Sequence, residues 1–232
     1  MVIEVINLGT IEYAKAWELQ NRYFEALQHD SVAPMVLLLC EHPHVYTLGK
    51  SGHINNLLVD DVFLSKIGAS YFKTDRGGDI TYHGPGQVVG YPILNLTTLG
   101  LGLKEYISQM EQAVIDTVAH WGIKAMLLDG ATGVWLCDER GERKICAIGV
   151  RASRFITMHG FALNVNTDLD YFRYINPCGF VDKGVTSMRA EGVRCSVSEV
   201  SELFAKLFCE RIKNKKLYNE QRAKTLGSSP GG

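Results

Sequence analysis

The chain has 232 residues, enough for one domain whose core needs no disulfide or metal staple. Apolar residues at 46% and charged residues at 21% are globular values and exclude wholesale disorder. Twenty-four Lys and Arg against 25 Asp and Glu leave a formal charge of -1, which argues against a chain built to coat nucleic acid.

The opening MVIEVINLGTIEY has no basic region followed by an apolar stretch and a small-residue cleavage site, so no leader is expected. Tyr13, Trp17, Phe24 and Leu27 recur at helical spacing and predict a helix over 13–29. The apolar run from Met35 to Leu39 is far short of the roughly 20 residues that span a bilayer. It belongs instead to a strand over 35–40. Further strands are expected over 70–74 and 87–94. A second helix covers 104–121, with Tyr106, Met110, Ala113, Val114 and Trp121 as one stripe and Gly122 as its exit. Strands follow over 133–136, 144–151 and 156–166, with Asn166, Thr167 and Asp168 as an exit turn. A third helix is predicted over 198–214, with Leu203, Phe204, Leu207 and Phe208 inward and Ser198 as N-cap. The order lacks the regular βαβ alternation of a doubly wound fold, so the expectation is α+β with a mixed sheet. One domain is expected over 1–214, followed by a loose polar tail over 215–232.

Six cysteines stand at positions 40, 137, 146, 178, 195 and 209, with no CxxC or CxxH pair among them. A cytoplasmic protein with reduced thiols is expected. Cys146 and Cys209 lie among apolar residues and are read as core. A thiol–imidazole pair between Cys40 and His42 is set aside, on the expectation that strand neighbours point to opposite faces. Cys178 differs, because Pro177 and Gly179 flank it in a bent backbone that could present the thiol. PCG alone is weak evidence for catalysis.

The most unusual stretch is RGGDITYHGPGQVVGYPI, from Arg76 to Ile93. Gly77, Gly78, Gly84 and Gly86 exceed what an ordinary hairpin needs, and glycine lets main-chain N–H groups approach a ligand closely. Neither the P-loop pattern nor GxGxxG is present, so a ligand loop is favoured whose ligand the glycines do not identify. Lys144 opens KICAIGVR and, taken alone, reads as an exposed lysine at a strand start. The chemistry becomes coherent if Lys144 meets Cys178. A nearby ammonium favours the thiolate, which could accept an acyl group from a thioester, and a neutral lysine could later take a proton from an attacking amine.

RGGDITYHGPGQVVGYPI, KICAIGVRASRFITMHGFALNVNTDL and INPCGFVDKGVTSM, in that order, resemble the lipoyl(octanoyl) transferase family, as does HPHVYTLGKSG over 42–52. The resemblance runs from about residue 5 to 213. It implies the biotin and lipoate protein ligase catalytic fold: a mixed sheet, packed helices and a smaller associated sheet. It also implies transfer of an octanoyl group from octanoyl-acyl carrier protein to a lysine of lipoyl domains. Those domains belong to 2-oxoacid dehydrogenase complexes and the glycine cleavage H protein.

By the family pattern, Cys178 is the acyl-thioester nucleophile and Lys144 tunes it and handles protons. Arg76, Gly77, Gly78, Asp79, Ile80, Thr81, Tyr82 and His83 would line the acyl site, with His83 close to the reacting groups. Ala147, Ile148 and Gly149 would form a second wall, and Gly160, Phe161 and Ala162 a third. The implied enzyme needs no cofactor, neither ATP nor Mg²⁺, contacts no nucleic acid or membrane, and acts as a monomer. The competing readings are an ATP-dependent lipoate or biotin ligase, which would form an adenylate from free acid, and a catalytically idle scaffold that only binds lipoyl domains.

Overall fold

A computed structural model describes residues 2–176 and 183–227, the last six of these in backbone only. Cys178, the proposed nucleophile, lies outside the described residues, as does the extreme end of the tail.

The chain opens with β1 (Glu4–Thr10), which runs into α1 (Tyr13–His29). The strands β2 (Val36–Glu41) and β3 (Val45–Leu48) follow, then a 3-10 turn at Ile54–Asn56 and the short helix α2 (Asp61–Lys66). Next come β4 (Ser70–Lys73), β5 (Ile80–His83) and β6 (Gln87–Ile93). Two helices, α3 (Leu96–Leu99) and α4 (Leu103–Ala119), precede the meander β7 (Met126–Leu128), β8 (Ala131–Asp138), β9 (Gly141–Ser153) and β10 (Ile156–Asn164). A 3-10 helix at Leu169–Tyr174, the short β11 (Gly184–Val185) and α5 (Val197–Gly227) complete the described chain.

The larger sheet has the order β1-β2-β6-β10-β9-β8-β7, with β11 added on β9. β1 runs parallel to β2 and β11 parallel to β9, while the remaining pairs are antiparallel. A smaller sheet, β4-β3-β5, stands beside it. This is the mixed α+β arrangement expected from the element order. Burial explains the runs that alternate poorly: every residue of β6 and of β10 is buried, so neither strand needs a polar face. The main core includes Phe24 of α1, Leu37 and Leu38 of β2, Met110 and Val114 of α4, and Phe204 and Phe208 of α5. A second cluster, with Tyr46, Leu48, Leu64, Ile80, Tyr82 and Ile175, packs around the small sheet.

Three details differ from expectation. α5 begins at Val197 and is capped by Ser196, not Ser198. The Ser196 Oγ accepts from the Glu199 N–H at 3.2 Å, and Glu199 Oε2 accepts from the Ser196 N–H at 2.8 Å, a reciprocal capping box. Ser198 instead donates its hydroxyl to Glu202 Oε1. The helix also runs on to Gly227 rather than ending near 214. Polar residues continue it because they meet partners along the way: Lys215 pairs with Glu105 of α4 at 2.7 Å, and Asn219 donates to the Gly100 carbonyl at 2.9 Å. Finally, Cys40 and His42 do meet, with Sγ 3.5 Å from Nε2. They are two residues apart, and residues i and i+2 share a strand face. Burial pushes the Cys40 thiol well above its usual range, so the contact makes no nucleophile.

His42 ties three segments together. Its Nδ1–H donates to the Ile11 carbonyl at 2.7 Å, which leaves Nε2 to accept from the Tyr91 hydroxyl at 2.7 Å. Burial lowers its pKa from 6.5 to about 4. The unfolded chain therefore takes up this proton first as pH falls, so His42 contributes stability above about pH 6.5 that is lost toward pH 4. Its share is about 3 kcal/mol between pH 7 and pH 4. Denaturant unfolding across that range is expected to show a shallower pH dependence in His42→Gln; an unchanged slope would show that His42 is not the linked group. Phe204 is fully buried, 4.1 Å from Phe161 between ring centroids. Phe204→Ala is expected to cost about 3–5 kcal/mol in urea unfolding, through lost burial and the cavity left behind.

Candidate active site

Lys144 lies on β9 opposite Trp135 of β8. The β8–β9 register shifts between Val134 and Trp135, because Ile145 is an extra residue on β9. Gly133 permits the bend: its φ is +117°, and a Cβ there would lie 2.6 Å from the Cys146 carbonyl oxygen. Glu111 of α4 accepts from the Gly133 N–H at 3.0 Å. The bulge brings the Lys144 ammonium over the Trp135 ring, 4.5 Å from its centroid, with Lys183 at 5.6 Å. Trp135 is held in turn by its Nε1–H, which donates to the Ala131 carbonyl at 3.0 Å. Lys183 pairs with Glu142 of β9.

These groups face a cleft of about 490 Å³. Arg76, Gly77, Gly78, Asp79, Ile80 and Thr81 form one wall, and Ala147, Ile148 and Gly149 with Ala162 form another. Leu103 and Ile107 of α4, with Ala131, add apolar lining. A volume of this size and a mostly apolar lining with a few convergent polar groups suit a small-molecule site.

The glycine loop owes its shape to Arg76. This side chain is 8% exposed, and its nitrogens donate inward to Thr47 O at 2.6 Å, Asp79 O at 2.6 Å, Gly77 O at 2.9 Å and Thr47 Oγ1 at 3.1–3.2 Å. Asp79 accepts from the Ile80 N–H at 2.7 Å and from Asn56 Nδ2 at 2.6 Å. The loop joins the large sheet where the Gly77 N–H donates to the Val150 carbonyl at 2.9 Å.

Not every predicted residue shares the cleft. His83, Gly160 and Phe161 line a much smaller neighbouring cavity of about 40 Å³, which has Arg76, Ala147, Ile148, Gly149 and Ala162 in common with the cleft. Tyr82 lines neither. It points into the second core, fully buried, and its hydroxyl bonds His44 Nδ1 at 2.8 Å. Alternation along β5 sets Tyr82 apart from its neighbours Thr81 and His83, because adjacent residues of one strand face opposite ways. Trp135, Gln87 and Asn164 line the cleft but were not among the predicted site residues. The last two lie inside the quoted motifs HGPGQ and GFALN, which was the available signal; nothing about Trp135 in the sequence announces it.

His159, in the second motif, has φ of +59° and is buried, with Nε2 2.8 Å from Asp75 Oδ1. Arg151 pairs with the same carboxylate. Hydrogen bonding to His159 is the main cause holding the Asp75 carboxyl below its usual range, and burial holds the imidazole down. Among the described residues, no group of three or more His, Cys, Asp or Glu could hold a metal ion, and no helix is long and apolar enough to cross a membrane.

The chain matches the lipoyl protein ligase A/B catalytic domain over residues 12–209. The octanoyltransferase of Bacteroides fragilis is 56% identical over 199 residues, covering 83% of this chain and 90% of the relative. That of Solibacter usitatus is 53% identical over 202 residues, covering 87% and 89%. A bi-partite lipoate protein ligase of Thermoplasma acidophilum shares the fold with a TM-score of 0.69 at 17% identity, covering 96% of this chain and 91% of that one. Lipoate-protein ligase A bound with ATP also gives a TM-score of 0.69, at 16% identity, covering 96% and 94%. With a lipoate ligase-like fold and relatives of this closeness, the chain belongs to the lipoyl protein ligase A/B catalytic-domain family, within it to the octanoyltransferases, and is an acyltransferase.

Proposed function

We propose that this acyltransferase moves an octanoyl group from octanoyl-acyl carrier protein to a lysine amine of apo lipoyl domains, through an acyl thioester on Cys178. The observation that carries the reading is the position of Lys144 in a cleft walled by the glycine loop. The flanks of residues 177–182 support it. Upstream, the Asn176 N–H donates to the Asn56 carbonyl at 2.8 Å, and the same Asn56 holds Asp79 of the cleft wall. Downstream, Val185 of β11 pairs with Lys144 itself. The described residues on either side of 177–182 are therefore attached to the walls of the cleft, Asn176 through Asn56 and Val185 directly.

In the first half-reaction, the Cys178 thiolate attacks the thioester carbonyl of the donor. The new S–C bond forms as the bond to the carrier's sulfur breaks, and that sulfur leaves as a thiol after taking a proton from the Lys144 ammonium, which leaves Lys144 as an amine. The Lys144 ammonium favours the Cys178 anion. Backbone N–H groups of the walls stabilise the tetrahedral oxyanion. In the second half-reaction, the acceptor amine attacks the acyl-cysteine, Lys144 as amine takes the proton released, and Cys178 departs as thiolate. The acyl chain lies against the cleft's apolar lining, which includes Leu103, Ile107 and Ile148. About seven methyl and methylene groups at ~0.8 kcal/mol each give an upper attraction near 6 kcal/mol. An adenylating ligase, by contrast, would start from free acid and would not need Cys178.

Intact-mass analysis after exposure to octanoyl-acyl carrier protein tests the reading. An octanoyl adduct on Cys178 is expected in the unmodified enzyme, with transfer abolished in a folded Cys178→Ser variant; transfer at the original rate in that variant would remove Cys178 as nucleophile. Lys144→Arg keeps the charge but not the exchangeable amine. It is expected to slow transfer from isolated acyl-enzyme to the acceptor more than it slows acyl-enzyme formation. Quenched mass spectrometry separates the two steps, and equal losses would reduce Lys144 to a role in charge or geometry.

A further inference from the structure

Beneath the cleft, one line of buried side chains runs from the glycine loop to the strand that carries Lys144. Arg76 donates to Thr47 Oγ1, and Thr47 Oγ1 lies 3.4 Å from His83 Nε2. His83 Nδ1 lies 2.9 Å from Gln87 Oε1, and Gln87 Nε2 lies 2.9 Å from Asn164 Oδ1. Asn164 Nδ2 donates to the Thr186 carbonyl at 3.0 Å, and the Thr186 N–H donates to the Lys144 carbonyl at 2.9 Å. Thr47, Gln87, Asn164 and Thr186 are each at most 4% exposed.

Two backbone carbonyls set the direction of the whole line. Gln87 Nε2 also donates to the Tyr82 carbonyl at 3.2 Å. A carbonyl can only accept, so the amide nitrogen must face it and Oε1 must face His83. The Thr186 carbonyl likewise fixes the Asn164 amide. His83 must then carry its proton on Nδ1, leaving Nε2 to accept from the Thr47 hydroxyl, whose own lone pairs take the Arg76 donors. No link can be reversed without leaving a buried group unsatisfied.

We propose that Gln87 and Asn164 are positioning residues for acyl transfer, and that their two amides hold the glycine-loop wall in register with the Lys144 strand. The proposal rests on the reading of Lys144 as the proton-handling residue. Gln87 joins β6 to β5 of the smaller sheet, and Asn164 joins β10 to the segment that follows β11. Gln87 thus ties the two sheets together, and Asn164, its cross-strand neighbour, carries the line on to the segment beside Lys144, beneath the space the acyl group would occupy. Misplacing reacting groups by about 1 Å costs about 100-fold in rate, whereas apolar binding of the chain tolerates such a shift.

The test uses isosteric changes, because Gln87→Glu and Asn164→Asp each replace a donor by an acceptor without altering volume. Each variant is expected to lose about 10- to 100-fold in kcat for octanoyl transfer, with KM for octanoyl-acyl carrier protein changed less than twofold. The double variant is expected to lose far less than the product of the two single losses, since both break the same line. A KM rise with kcat retained, or fully multiplicative losses, would overturn the proposal. A second measurement needs neither activity nor a variant: ¹⁵N NMR of the unliganded full chain is expected to show neutral His83 protonated on Nδ1. Protonation on Nε2 alone would refute the line's direction even if the transferase reading holds. An unmodified enzyme that gives no transfer but shows the Nδ1–H form would instead locate the failure in that reading.

Discussion

A buried guanidinium holds the glycine-loop wall of the cleft in place against the smaller sheet. Taking a cation out of water costs several kcal/mol, and here Arg76 donates to main-chain carbonyls of Thr47, Gly77 and Asp79 and to a hydroxyl. Only a planar fork of five donors can reach three carbonyls on two segments at once; a lysine ammonium presents its donors from one atom. The loop around Arg76 is therefore wound about the charge, which sets where its backbone passes. That path leaves no room for side chains at certain neighbours. A Cβ on Gly49 would lie 2.3 Å from the Gly78 carbonyl oxygen, and one on Gly149 would lie 2.9 Å from that of Gly77. Those glycines are required by close approach rather than by turn geometry.

The cleft is a seam between the two sheets. The smaller sheet supplies Ile80 and Thr81 from β5, and the larger sheet supplies Lys144 and Ala147 to Gly149 from β9. Among the described residues, the hydrogen bonds that stitch the seam include Gly77 to Val150 and those of Gln87 to His83 and to the Tyr82 carbonyl. A site assembled this way gets its apolar floor from strands already buried for stability. Its polar groups come from the loop that crosses between sheets and from strands β6, β9 and β10, which carry Gln87, Lys144 and Asn164.

Much of this was legible in the sequence, and the exceptions share a cause. The helix over 13–29 and the stripe of α4 are strongly periodic, and Tyr13, Phe24 and Leu27, like Tyr106, Met110, Ala113 and Val114, are buried, whereas Trp17 and Trp121 are only partly so. β1, β3, β5, β7 and β11 were missed. They are short or lie next to glycine and polar residues, and they are specified by pairing with distant partners rather than by their own pattern. At the site, the loop from Arg76 to Thr81 and the wall from Ala147 to Gly149 were readable as motifs and do line the cleft. Trp135 was not readable, because a β-bulge one strand away aims it. The motif HPHVYTLGKSG was quoted only for its resemblance, yet its histidines serve the scaffold, with His42 and His44 bonded to Tyr91 and Tyr82. Residue type alone does not separate a histidine that moves protons from one that fastens strands.

That separation bears on His83. Burial first, then the neighbouring His42, lowers its pKa from 6.5 to about 3, so the imidazole is neutral across the working range. Both ring nitrogens are also committed, Nδ1 to Gln87 and Nε2 to Thr47. A general base needs a free lone pair and a pKa near the operating pH, and His83 has neither. It lines the small cavity behind the walls rather than the cleft that holds Lys144. Its neutrality has its own value, because a second cation beside buried Arg76 would raise the cost of burying the first. The imidazole is thus a geometric link whose worth depends on staying uncharged. In the cleft itself, the Trp135 ring carries Lys144 and Lys183 instead.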